Sequence, residues 1–152
     1  MGKLSNRSIS RLEGVRPLMV KIFVEGCPTS PFDYGIPGTG GLRTDEQQKK
    51  EYAKGRTTAE LIKKGINGVE GQPGRTKVTW TLNSKHKAKE DGFGHAVDIY
   101  AYVNGKPTWE MKYIKPIAEH LKKFALEKYG ITLYWGFDLW GKDGAHFQDS
   151  KD

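Results

Sequence analysis

The chain contains 152 residues, with 25 lysines and arginines against 18 aspartates and glutamates. A chain of this length typically forms one domain, so we expect residues 1–152 to form a single domain without a second binding module. No apolar run approaches the ~18 residues of a membrane-spanning helix, and the 17 aromatic residues are too many for a disordered chain. The net charge of +7 favours an anionic partner such as nucleic acid, an acidic membrane surface or an anionic polymer.

The first half of the chain predicts helices separated by loops. Apolar residues at three- and four-residue steps over residues 5–27 predict a helix, interrupted near Pro17, which suits the first turn of a second helix. Residues 28–41 are rich in proline and glycine and predict a loop with one short strand. Capping boxes at Thr44 and Thr57 predict two further helices, each ended by a glycine.

The second half combines strand and helix patterns. Alternating apolar and polar residues predict strands at 78–82 and 96–103, and the Asn104–Gly105 pair predicts a hairpin turn after the second of them. Helical spacing of apolar residues predicts a long helix over 112–129. The remaining predicted strands are short and cover residues 131–135 and 145–148. Helices beside a mostly antiparallel sheet make this an α+β fold.

Three potential metal ligands lie at predicted strand ends. His86 follows one strand, Asp98 lies on the polar face of the next, and His146 begins the last. Two imidazoles and one carboxylate match the three-ligand layout of a catalytic zinc site. Asp143, three residues before His146, is placed to accept a proton from water as a general base. The spacing by itself still favours a simpler interpretation, in which both histidines are polar strand-end residues.

Several motifs occur in an order that is typical of one family. Residues 84–86 match Ser-x-His, residues 94–98 match Gly-x-Ala-x-Asp, and residues 143–147 match Asp-x-x-His-Phe. Residues 41–48 resemble a Gly-x-Arg-Thr helix start, and residues 135–138 resemble Trp-Gly-Gly-Asp. The chain thus resembles the LAS-type peptidases, which comprise VanY- and VanX-like D-Ala-D-Ala peptidases and phage L-alanyl-D-glutamate endopeptidase endolysins, and it is most similar to the single-domain endolysins.

The resemblance implies a zinc peptidase that hydrolyses an amide bond in peptidoglycan stem peptides, with L-alanyl-D-glutamate as the expected bond. It implies one zinc ion per chain, bound by His86, Asp98 and His146, with Asp143 as the general base. By the same resemblance, the enzyme acts on bacterial peptidoglycan. We also expect a monomer that does not insert into a membrane, since no long apolar run is present. Because no secretory signal is visible, we expect synthesis in the host cytoplasm and release to the wall through a holin or another factor.

Two more residues receive roles from the resemblance. Arg43 would hold a substrate carboxylate or carbonyl oxygen with its planar fork of donors, and Ser84 would shape the site beside His86. The chain departs from the family in the longer segment 87–97 between two of the ligands, and in Gly40, which stands where phage members usually have glutamate.

Other interpretations stay open at this point. A D-Ala-D-Ala carboxypeptidase would share the metal site and differ only in the shape of its pocket. A basic nucleic-acid-binding module is the alternative from another class, but the lysine pairs fall on helix faces without interleaved aromatic residues, so we expect no nucleic acid. A third alternative is a metal-free structural protein that kept the fold.

Some residues near the motifs are expected to lie outside the metal site. His95 is an odd number of residues from Asp98, so on a regular strand it faces the other way, and we expect a supporting role for it. His120, in a lysine-rich helix, is expected on a solvated face. Tyr102 and Trp140 are candidates for lining a substrate groove.

Overall fold

The computed structural model describes residues 2–79 and 81–151, and these residues fold into short helices and strands around one long helix. In chain order the elements are α1 (Asn6–Arg11), α2 (Pro17–Gly26), β1 (Asp33–Gly35), α3 (Asp45–Ala53), α4 (Thr58–Lys63), β2 (Ala96–Asp98), β3 (Tyr100–Val103), β4 (Lys106–Thr108), α5 (Met111–Tyr129), β5 (Tyr134–Trp135), α6 (Gly136–Trp140) and β6 (His146–Gln148). No helix among the described residues is both long enough and apolar enough to cross a membrane.

Two small antiparallel sheets confirm the predicted α+β class. One sheet has the strand order β1-β3-β4 and the other β2-β6-β5. The prediction of one strand over 96–103 was wrong, because that segment divides at Ile99 between the two sheets. The backbone N–H of Ile99 donates to the carbonyl of Ala145, 3.0 Å away, while its side chain is fully buried. Apolar residues alternate without interruption across Ile99, so the sequence pattern alone could not show that the segment divides there.

The main core lies between the helices and both sheets. Phe23 of α2 packs edge-to-face on Phe147 of β6, with ring centroids 5.6 Å apart, and Leu121 of α5 is fully buried beside them. The predicted long helix is confirmed as α5. It ends at Gly130, whose φ of 65° is the left-handed conformation that glycine adopts without strain.

A second, smaller core holds the segment around α3 and α4, which we call the small lobe (residues 44–82). Both predicted capping boxes are present, at Thr44 and Thr57. The helices that they begin bury Tyr52 and Leu61 against each other, away from the main core. The small lobe therefore packs on side chains of its own, and the site described below lies at its border with the main body.

The predicted strand over 78–82 was wrong. Residues 76–79 and 81 form no regular secondary structure, and Trp80 lies outside the described residues. In this segment, side chains form the hydrogen bonds to backbone carbonyls that a neighbouring strand would otherwise form. Gln48 donates to the carbonyl of Thr81 at 2.7 Å, and Arg56 donates to the carbonyl of Thr79 at 3.1 Å. An alternating pattern indicates which side chains would share one face of a strand. A strand forms, however, only where a neighbouring strand can pair with its backbone.

Candidate metal centre

Strand pairing brings two of the predicted ligands together. Strands β2 and β6 are antiparallel, and their register places Asp98 directly opposite His146. His86 reaches the same point from the segment that leaves the small lobe. Its backbone N–H donates to Ser84 Oγ at 3.1 Å, and its carbonyl accepts from the N–H of Arg43 at 2.8 Å. The three side chains therefore come from three separate parts of the chain.

The three side chains meet at short and nearly equal distances. His86 Nε2 lies 3.0 Å from Asp98 Oδ1 and 3.2 Å from His146 Nδ1, and His146 Nδ1 lies 3.2 Å from the same carboxylate oxygen. Within the described residues, this is the group of histidine and acidic side chains that is close enough to share one metal ion. Both imidazoles are buried, so water is largely kept from the side of the cluster that faces the protein.

Hydrogen bonds fix the tautomer of each imidazole. His86 Nδ1 donates to the carbonyl of Gly41 at 2.8 Å, which leaves Nε2 with a lone pair that points at the cluster. His146 Nε2 donates to Gln148 Oε1 at 2.8 Å, and Gln148 Nε2 in turn donates to the carbonyl of Ser150 at 2.7 Å. The centre of the cluster is thus faced by two nitrogen lone pairs and a carboxylate oxygen. Three acceptors that face one another repel unless a cation lies among them.

Arg43 keeps the Asp98 carboxylate charged. It is 7% exposed, and its Nη2 donates to Asp98 Oδ2 at 2.7 Å. Burial opposes the charge on Asp98, but the two imidazoles and the guanidinium outweigh it and hold the pKa of Asp98 well below its usual range. The other donors of Arg43 reach the carbonyl of Thr39 at 2.7 Å and Gln48 Oε1 at 3.0 Å. Three of the five N–H groups of Arg43 therefore donate to acceptors within the protein.

The two histidines have opposite pKa shifts. Burial lowers the pKa of His86, and the charge of Arg43 lowers it further. The Asp98 carboxylate acts in the opposite direction, but its effect is smaller. Burial also works to lower the pKa of His146, but the Asp98 carboxylate next to its Nδ1 and the charge of Asp143 favour the protonated ring and raise that pKa. His86 is therefore the more readily neutral ligand of the two.

Asp143 stands beside the cluster without joining it. It lies in the loop before β6 and has a φ of 63°, a left-handed backbone that is rare for residues with a side chain, although aspartate and asparagine adopt it more often than most. Burial, followed by the charge of Asp98, raises the pKa of Asp143 to about 6. A half-buried carboxylate with a raised pKa next to a potential metal site has the properties of a general base.

The cluster opens onto a cavity of about 360 Å³, which is large enough for a short peptide segment. All six sequence-predicted site residues line it, together with polar residues of the small lobe and an aromatic side chain from α6. The lining includes Arg43, Thr79, Thr81, Asn83, Ser84, His86, Asp98, Trp140, Asp143, His146 and Gln148. The structure therefore brings the predicted residues into one cleft.

The structure places the other candidates elsewhere. His95 lies between two carboxylates, with its ring nitrogens 2.7 Å from Asp149 Oδ2 and 2.7 Å from Asp91 Oδ2, away from the three-residue cluster. The expectation for His120 was wrong, because its Nε2 donates to the carbonyl of Gly26 at 2.8 Å and links α5 to α2. Tyr102 is exposed on β3 and outside the cavity, as far as the described residues show.

Two supporting residues were missed from the sequence. Gln148 orients His146 and lies two residues after it, so the period of a strand could have placed both on one face. Gly41 holds His86 through its backbone carbonyl, and a carbonyl has no sequence signature. A Cβ atom at Gly41 would lie 2.1 Å from the carbonyl oxygen of Arg11, which explains why glycine is needed there.

We expect Gly41→Ala to destabilise the protein by roughly 1–3 kcal/mol, because the added methyl group forces the backbone that holds His86 to move. Gly38→Ala is the matched control in the same loop, since nothing lies within 4 Å of a Cβ atom there. Urea unfolding followed by circular dichroism measures both variants. Equal free energies of unfolding for the two variants would contradict this account of the loop.

Comparison with known proteins identifies the family of the chain. Residues 59–152 match the family model described as phage L-alanyl-D-glutamate peptidase. The crystal structure of the Serratia marcescens L-Ala D-Glu endopeptidase ChiX aligns with 95% of this chain and 87% of its own, at 29% sequence identity and a TM-score of 0.66. No curated protein matches significantly. The family match covers more than half of the chain, and the chain therefore belongs to the phage L-alanyl-D-glutamate peptidase family, a group of peptidoglycan peptidases.

Proposed function

We propose that the chain is a zinc-dependent endopeptidase that hydrolyses the L-alanyl-D-glutamate bond of peptidoglycan stem peptides. The observation that carries the zinc requirement is the meeting of three acceptor atoms, His86 Nε2, Asp98 Oδ1 and His146 Nδ1, within 3.2 Å of one another. The family to which the chain belongs supports the peptide bond and the substrate.

The donor set fits zinc. Nitrogen and oxygen ligands at about 2.0–2.1 Å from a tetrahedral zinc ion are about 3.3 Å from each other, close to the separations in this cluster. The hydrogen bonds to Gly41 and Gln148 turn both imidazole lone pairs toward the same point. These three side chains would hold the ion at the wall of the cleft, and a catalytic zinc site has three protein ligands of this kind. We therefore assign one zinc ion per chain to His86, Asp98 and His146.

The chemistry divides between the metal and Asp143. A bound zinc ion supplies Lewis acidity, which makes water more acidic and polarises a carbonyl oxygen. Asp143 accepts a proton from the attacking water and delivers it to the amine that leaves. Its left-handed backbone holds the carboxylate beside the cluster and outside the ligand set.

Arg43 and Ser84 complete the site. Arg43 neutralises the outer oxygen of Asp98, and the N–H groups that it does not use on protein acceptors are available to a substrate carboxylate or carbonyl oxygen. Ser84 positions the backbone of His86 and lines the cleft. The net charge of +7 supplies attraction to the anionic wall, which the monomer reaches after a holin or similar factor releases it from the host cytoplasm.

Digestion of purified peptidoglycan with the zinc-loaded protein, followed by mass spectrometry, tests the bond that is cleaved. We expect fragments with a new N-terminal D-glutamate or its amide, and no free D-alanine. Release of free D-alanine would replace this proposal with a D-Ala-D-Ala carboxypeptidase. A parallel digestion with His86→Ala shows whether any products come from a contaminating enzyme.

Alanine at His86, Asp98 or His146 should abolish both zinc retention and hydrolysis, because a site with two protein ligands does not hold the ion through dialysis. His95→Ala is the control and should keep stoichiometric zinc, since that ring lies between Asp91 and Asp149. Metal content after dialysis and the rate on purified peptidoglycan are the two measurements. A variant of any proposed ligand that keeps full zinc and full activity removes that residue from the site.

Asp143→Asn should bind zinc normally and lose hydrolysis by roughly 10²–10⁴-fold, because an amide cannot accept the proton from water. Asparagine also tolerates the left-handed backbone at this position, so the loop is expected to stay in place. Zinc content and thermal midpoint serve as controls for the fold. A rate above about a tenth of the wild-type rate would show that the base is another residue.

A further inference from the structure

The cleft continues beyond the cavity described above. A second cavity, of about 550 Å³, adjoins the first and shares five lining residues with it, namely Arg43, Val78, Asp98, Lys142 and Asp143. The shared side chains therefore lie between two arms of the cleft. We call them the Ser84 arm, which is the first cavity, and the Trp109 arm, which is the second.

The Trp109 arm contains two aromatic rings with a large exposed fraction. Trp109 is 56% exposed and Phe137 is 41% exposed, and both line this arm. Each ring has an aromatic neighbour. Tyr100 lies 5.8 Å from Trp109, and Trp135 lies 5.2 Å from Phe137, between ring centroids. Large aromatic side chains that are held in place yet exposed within a cavity are typical of a ligand-binding surface.

The two arms differ in chemistry. The Ser84 arm is lined by hydroxyl and amide groups from Thr79, Thr81, Asn83 and Gln148 as well as Ser84, which suit peptide amides and carboxylates. The Ser84 arm holds one exposed aromatic ring, that of Trp140. The Trp109 arm holds two, and the charged side chains of Glu51, Lys54 and Lys77 line it as well. The Trp109 arm therefore combines a surface on which a ring can pack with charged groups that can bond to the hydroxyl and amide groups of a sugar.

The substrate under the proposed function has two chemically different ends. On the carboxyl side of the scissile bond, the stem peptide continues as amides and carboxylates. On the amino side, the alanine is joined to the lactyl group of a muramic acid, so a sugar ring lies one residue from the bond. The polar face of a pyranose ring can form hydrogen bonds while its C–H face packs on an aromatic ring, as indole surfaces in ligand pockets allow.

We propose that the Trp109 arm is the subsite for the muramyl sugar, with Trp109 and Phe137 as the surface on which the ring packs. This inference rests on the proposed function, because it takes the scissile bond to lie at the cluster of His86, Asp98 and His146. It makes the enzyme selective for stem peptides that are still attached to the glycan strand. Trp109 is a specificity residue here and takes no part in the bond cleavage.

Two matched substrates test the subsite. One is an N-acetylmuramyl stem peptide, and the other is the same peptide with an N-acetyl group in place of the sugar, so that both carry an amide at the alanine nitrogen. Wild-type kcat/KM should be higher for the sugar-bearing peptide. Trp109→Ala should lower kcat/KM for the sugar-bearing peptide by about tenfold. It should leave kcat/KM for the N-acetyl peptide within about twofold of the wild-type value. Trp109→Phe should retain most of the preference.

Tyr102→Ala is the matched control, since Tyr102 is an exposed aromatic residue outside both arms of the cleft. It should change neither value. The N-acetyl peptide reports on folding and on the metal site in each variant. If Trp109→Ala lowers kcat/KM equally for both substrates, or if the wild type shows no preference, the proposal of a sugar subsite is wrong while the proposed function stands. If the wild type cleaves neither peptide, the proposed function fails and the subsite falls with it.

Discussion

The largely buried carboxylate of Asp98 is the group on which the rest of the site depends. One oxygen accepts from the Arg43 guanidinium at 2.7 Å, and the other lies 3.0 Å from His86 and 3.2 Å from His146. A buried charge is costly unless its partners surround it, so these groups must arrive together for the protein to fold with Asp98 ionised. The partners come from the segment just before α3, from the segment around residue 86 and from β6, so a single carboxylate joins three distant parts of the chain.

The same contacts join the small lobe to the main body. The lobe has its own core around Tyr52 and Leu61, so apolar packing alone does not explain how it is oriented. The segment just before it supplies the link. The carbonyl of Gly40 accepts from the N–H of Asp98 at 2.7 Å, and the carbonyl of Gly41 accepts from His86. Close approach of these backbones requires glycine at both positions, where a Cβ atom would lie within 3.0 Å of a backbone oxygen. The border between two cores is therefore polar, and the cleft forms along it.

The parts of the fold that local interactions determine were predictable, and the parts that depend on distant partners were not. The capping box at Thr44 involves residues three apart, and helix α5 ends at a glycine, so both can be recognised within a few residues of sequence. The division at Ile99 depends on Ala145, and the loss of the strand over 78–82 depends on Gln48 and Arg56. At the site, the order of motifs predicted which side chains meet. It did not indicate the carbonyl of Gly41, since a backbone partner is independent of residue type.

Two aspartates of the cleft receive different roles from their surroundings. Asp98 is held ionised because Arg43 and the imidazoles lower its pKa, and its charge in turn helps burial to raise the pKa of Asp143 to about 6. A carboxylate that stays charged suits a permanent ligand, whereas one that exchanges a proton near neutral pH suits a base. The backbone strengthens the division, because Asp98 lies in a paired strand and Asp143 in a left-handed turn just outside the ligand set. The two roles therefore follow from where the chain places each carboxyl group.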